Sequence, residues 1–123
     1  MLVAALLLLA LPACQPPARS DREEAAAQAT GGDPARGRAA IAARGCGSCH
    51  TVPGIPGADA NVGPSLDRIG SRVYVGGVLV NTPDNLVRWL KDPPAVDAKT
   101  AMPALGLGDD EARDVAAYLY TLR

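Results

Sequence analysis

The stretch Gly45-Cys46-Gly47-Ser48-Cys49-His50 decides the reading of this chain. Two cysteines three apart, followed at once by histidine, have the spacing of a covalent c-type haem attachment run. On one turn of compact backbone each thiol can add to a vinyl group on one edge of a porphyrin, and the adjoining imidazole then falls beneath the iron. Other uses of these residues fit less well. A structural zinc site takes four Cys or His ligands, whereas the chain has three cysteines and one histidine, and Cys14 lies in a segment that looks like an export signal. A dithiol redox pair needs a βαβ setting, and no strand alternation surrounds Cys46 and Cys49.

Composition points the same way. There is no Phe, one Trp and three Tyr, although 48% of residues are nominally apolar and many of those are Ala. Small side chains bury little area for their number. A flat, apolar, covalently held macrocycle fills that gap, as metals and disulfides staple other small domains.

Twelve Lys and Arg against thirteen Asp and Glu leave the 123-residue chain near neutral. The basic stripe that nucleic-acid binding requires is absent, so no nucleic-acid partner is expected. Met1 to Ala13 is an apolar run ending in Leu11-Pro12-Ala13-Cys14. Its length suits a signal-peptide core and falls short of the roughly 20 residues of a membrane span. The end resembles a bacterial lipobox, which would make Cys14 a lipid-modified residue. Plain cleavage and an uncleaved anchor are the alternatives, and no Lys or Arg precedes Cys14. With lipid on Cys14 and haem on Cys46 and Cys49, no cysteine is left for a disulfide. The expected organisation is a signal segment over 1–14, a flexible tether over 15–32 and one domain over 33–123. The tether is rich in Pro, Ala, Gln and charge and offers no apolar face.

Within the domain, Asp33-Pro34 is a cap-then-proline helix start, and the helix should stop at Gly45. Gly37 shares a face with Ile41 and suits a close approach by another backbone or ring; a tolerated surface glycine is the rival reading. Residues 51–63 read as loop, and a short helical turn through Asp67 to Ile69 follows. Pro64 offers only a carbonyl, which suits an acceptor for the second ring N–H of His50; a plain turn is the rival reading. Residues 73–80 read as loop with extended pieces. Thr82-Pro83 opens a second helix with Leu86, Trp89 and Leu90 on one face, ended by Asp92-Pro93-Pro94. A last helix begins at Gly108 or Asp109, with acidic residues in its first turn and Val115, Tyr118, Leu119 and Leu122 at helical spacing.

His50 is the only histidine, and apart from Met1 the only methionine is Met102. The iron's sixth position is therefore either Met102 or open. His/Met ligation raises the reduction potential and leaves no vacant position, as suits an electron carrier.

Gly37, Cys46-x-x-Cys49-His50, Gly63-Pro64-x-Leu66, Trp89-Leu90-x-x-Pro93, Thr100-x-Met102-Pro103 and Val115-x-x-Tyr118-Leu119 occur in order across the domain. In this set, residues 33–123 resemble a class I cytochrome c, and the run from Cys46 to Leu122 resembles the small membrane-tethered bacterial cytochromes that feed terminal oxidases. The resemblance implies an all-α fold of three to four helices wrapped around one covalent haem c. It implies that the first and last helices cross at Gly37, with Ile41 packing against Val115 and Tyr118. It also implies that the Pro64 carbonyl accepts from His50, that Arg72 lies near a haem propionate, and that Thr100 belongs to the loop presenting Met102. Two residues depart from the mitochondrial pattern. Asn81 falls where those relatives place a propionate-bonding Trp, and Trp89 where they place a Tyr near the methionine sulfur.

The expected function is a monomeric, single-haem electron carrier on the periplasmic side of a bacterial membrane, with a quinol-oxidising complex as donor and a terminal oxidase as acceptor. It is not expected to be an enzyme. The expected haem-site residues are Cys46, Cys49, His50, Pro64, Arg72, Trp89 and Met102, with His50 and Met102 on the metal. Alternatives are the haem-bearing subunit of a periplasmic oxidoreductase, and a gas-sensing or peroxidatic protein with an open distal site. Lys91 and Lys99 are the only lysines, so docking is expected to be more apolar than in mitochondrial relatives.

Overall fold

A computed structural model describes residues 20–123. The export-like segment and Cys14 lie outside the described residues. Five helices, α1 (Asp21–Thr30), α2 (Pro34–Ala43), α3 (Pro83–Lys91), α4 (Pro93–Val96) and α5 (Asp109–Thr121), are joined by long loops and one short antiparallel hairpin, β1 (Tyr74–Val75) with β2 (Leu79–Val80). The fold is all-α, with α5 packed against α2, α1 and α3.

The helix starts follow local chemistry. The Asp33 carboxylate accepts from the amides of Ala35 at 2.8 Å and Arg36 at 3.0 Å, with Pro34 in the first turn. Thr82 caps α3 by accepting from the Asn85 amide at 3.2 Å, and Asp109, Asp110 and Glu111 fill the first turn of α5, where the helix dipole favours negative charge. The helix α3 buries Leu86, Val87, Trp89 and Leu90, and α5 buries Val115, Ala116, Leu119 and Tyr120. The short α4, capped by Asp92, lies where the sequence showed only a terminating proline pair.

Helices α2 and α5 meet without side-chain clearance. A Cβ on Gly37 would lie 1.8 Å from the Asp114 carbonyl oxygen and 3.1 Å from Tyr118 Cβ. Beside this crossing Asp114, 7% exposed, receives the Asp33 amide at 2.6 Å and a two-pronged Arg36 guanidinium at 2.7 and 2.8 Å. Burial pushes the Asp114 carboxyl up, but the Arg36 hydrogen bonds and the Asp33 amide outweigh it and leave it below the usual carboxylate range. Arg44, at the other end of α2, pairs with Glu111 at 2.6 Å.

The expected flexible tether is corrected over residues 21–30. These form α1, which packs on α5 and buries Ala26 and Thr30. Ser20 and Glu23 close a reciprocal capping box, the Arg113 side chain donates to the Thr30 carbonyl at 3.3 Å, and Arg22 donates to the Thr121 carbonyl at 3.4 Å. The helix needs no broad apolar stripe because two small residues one turn apart let it lie close to α5. Gly32, where a Cβ would meet the Arg113 carbonyl oxygen at 2.1 Å, brings the chain past α5 into α2.

Candidate haem site

The attachment run is a single tight turn. Gly45 has φ 70°, a left-handed conformation that glycine adopts without strain, and it leads into a 3-10 turn over Cys46–Ser48. The amides of Cys49 and His50 both donate to the Cys46 carbonyl, at 3.2 and 3.0 Å. Both cysteines are half-buried and line one cavity. Before attachment, burial raises the Cys46 thiol above its ordinary value.

His50 is held from two sides. Its Nδ1 donates to the Pro64 carbonyl at 2.6 Å, which fixes the tautomer and leaves Nε2 as the free ring nitrogen. Gly63 lies against the ring: a Cβ there would be 2.5 Å from Cε1. The Gly63 amide donates to the Cys49 carbonyl at 2.7 Å, tying this loop back to the attachment turn.

That cavity, about 410 Å³, is lined by Cys46, Cys49, His50 and Pro64 together with Thr100, Met102 and Pro103. Ile41, Leu66, Ile69, Leu86, Leu90, Val115 and Leu119 supply apolar wall. Met102 is half-buried in the loop between α4 and α5, and its amide donates to the Thr100 hydroxyl at 3.2 Å. Trp89, 7% exposed, lines the cavity and packs on Gly76, whose φ is 60° and where a Cβ would meet the indole at 2.5 Å. Arg72 also lines the cavity; its Nη2 donates to the carbonyls of Ser65 and Asp67 at 2.5 and 2.8 Å. All seven residues expected at the haem thus border one space.

Asn81 is absent from this lining. Its side-chain amide donates to the carbonyls of Ile69 and Arg72 and accepts from the Tyr120 hydroxyl. The sequence marked position 81 only as a departure from a family pattern. The contact between Gly76 and Trp89 also went unread, although two adjacent glycines in an otherwise apolar stretch were its signal.

These residues fit a covalent haem. An apolar cavity presents two thiols on one turn, a histidine with a bonded Nδ1 and a free Nε2, and a thioether. Among the described residues no three His, Cys, Asp or Glu side chains converge as a metal-holding cluster. The donors present are a soft and borderline set suited to iron in a macrocycle.

Comparison with known proteins bears on the family. The family model for cytochrome c matches residues 34–123. Over 89 residues the chain is 30% identical to cytochrome c oxidase subunit 2 of Alkalihalophilus pseudofirmus, which covers 72% of this chain and 25% of that protein. The chain therefore spans about a quarter of that relative's length. With the attachment turn, the held histidine and the cavity in place, the match over residues 34–123 shows that this chain belongs to the cytochrome c family, whose haem c is covalently bound.

Proposed function

We propose that the protein is a single-haem electron carrier, held at the outer face of a bacterial membrane, with His50 and Met102 as the axial ligands of its iron. The observation that carries this reading is that His50 and Met102 border one cavity with both attachment cysteines. Bound there, the haem supplies a one-electron ferric/ferrous couple. The protein's part is to orient His50 through Pro64, to present Met102 through Thr100, and to keep water from the ring with the apolar walls of α2, α3 and α5. No hydrolytic or group-transfer chemistry is assigned to these residues, and we read the chain as a carrier rather than an enzyme.

Lipid on Cys14 would tether the domain, with a quinol-oxidising complex as donor and a terminal oxidase as acceptor; the similarity to an oxidase subunit supports an oxidase as partner. Among the described residues no helix is long and apolar enough to cross a membrane. The docking face is read as apolar: Val62 and Tyr74 border the cavity yet are 80% and 57% exposed, and Val73, Val78 and Val80 stand exposed around the same hairpin.

A second reading, the haem-bearing subunit of a larger oxidoreductase, is supported by the same relative, itself a subunit. Optical spectra of the haem-matured chain, oxidised and reduced, with and without carbon monoxide, test the ligation. A sulfur-to-iron band and no carbon monoxide shift are expected; ready carbon monoxide binding would mean an open iron and sensing or peroxidatic chemistry. Copurification of a stoichiometric partner after gentle solubilisation would favour the subunit reading, and a monodisperse monomer would count against it.

A further inference from the structure

The Asn81 side chain joins three separate segments. Its Nδ2 donates to the Ile69 carbonyl at 2.8 Å and to the Arg72 carbonyl at 3.0 Å, and its Oδ1 accepts from the Tyr120 hydroxyl at 3.2 Å. Its backbone N–H donates to the Val73 carbonyl at 2.8 Å. Tyr120 is buried in α5, so the 69–73 segment is fixed to the last helix. Arg72 carries the constraint onward, because its Nη2 holds the carbonyls of Ser65 and Asp67. Ser65 directly follows Pro64, whose carbonyl accepts the hydrogen bond from His50 Nδ1–H. A continuous series of bonds thus runs from α5 to the imidazole.

We infer that Asn81 is a positioning residue for His50: by fixing Arg72 to α5 it keeps the Pro64 carbonyl aimed at Nδ1. The inference rests on the reading of His50 as the iron's ligand. Arg72, which the family pattern assigns to a propionate, here also locks the loop on the histidine side. A firm hydrogen bond from the far ring nitrogen raises the basicity of a ligating imidazole. Slackening the series therefore weakens electron donation to ferric iron and raises the reduction potential.

The test uses the full, haem-matured chain and three variants, Asn81→Ala, Tyr120→Phe and Asn85→Ala. Two quantities are read: the reduction potential by spectroelectrochemistry, and solvent exchange of the His50 Nδ1 proton by nuclear magnetic resonance. Loss of its three side-chain hydrogen bonds should speed that exchange by roughly ten-fold in Asn81→Ala. Tyr120→Phe should produce a smaller change, and the potential should rise in the same order. Asn85→Ala removes one bond, from Nδ2 to the Val80 carbonyl at 2.9 Å, leaves every Asn81 side-chain bond in place and should move neither readout. If Asn81→Ala lowers the melting temperature but leaves exchange and potential at wild-type values, Asn81 is merely structural and the inference fails. If Asn81→Ala does not mature, Tyr120→Phe decides the matter alone by the same two readouts. Absence of a hyperfine-shifted His50 ring signal in the wild-type protein would instead sink the ligation reading itself.

Discussion

Gly37 of α2 rests on the backbone carbonyl of Asp114 in α5, so close that any side chain at position 37 would overlap it. The crossing sets the distance between two walls of the haem cavity, since Ile41 and Val115 both border it. Gly37→Ala should therefore cost about 3 kcal/mol or more, at the upper end of overpacking effects. Gly108→Ala, where nothing lies within 4 Å of an added Cβ, should stay within about 0.5 kcal/mol. Thermal unfolding of the matured proteins checks both, and equal melting temperatures would refute the close crossing.

Asp114 gives the fold an acid-sensitive joint. Its folded carboxyl lies below the ordinary value of 3.8, so its ionised form stabilises the fold above that value, and this contribution is lost as pH falls through the lowered folded value. Asp114→Asn should cost about 1–3 kcal/mol at pH 6, the range for hydrogen bonds to a buried charged group. The melting difference between wild type and variant should shrink once pH drops below the free carboxyl value of 3.8 and close as pH falls through the lowered folded value. A constant difference down to pH 2 would show that ionisation of Asp114 is not the cause.

Docking of α1 is separable from haem binding. Ala26→Glu places a charge where the side chain is 2% exposed and should release α1 from α5, because an unpaired buried charge is not tolerated. Amide exchange should rise across residues 21–30 while the visible spectrum stays unchanged. Protection equal to wild type would mean that the helix is held by its caps alone.

Met102→Ala should abolish the sulfur-to-iron band of the oxidised protein, open the iron to carbon monoxide and lower the reduction potential, as loss of a thioether ligand does. An unchanged spectrum would remove Met102 from the metal.

Electron transfer to an isolated terminal oxidase should vary less than about three-fold between low and physiological salt, since an apolar face lacks the charges that screening weakens. Tyr74→Ser should slow it without changing the spectrum. A steep salt dependence would place docking on charged residues instead.

Much of this was legible in the sequence because the signals were local. Asp33-Pro34, Thr82-Pro83 and the acidic start of α5 are each complete within four residues, and each helix begins where they stand. The attachment run names its own chemistry, and the apolar spacing of α3 and α5 marks buried faces. What escaped was of two kinds. Helix α1 carries no apolar stripe to announce it, and its one local signal is the capping-box pattern Ser20-x-x-Glu23. The bonds of Asn81 reach across 39 residues to Tyr120, and no spacing in a single chain announces a contact of that sort.

The cavity also bears on how the protein is made. Its apolar walls come from α2, α3 and α5, so a haem held there would add apolar contact to three helices at once. The haem is thus read as a packing element as well as a redox centre, and protease resistance should rise when the chain receives it; equal resistance before and after attachment would limit the haem to redox work.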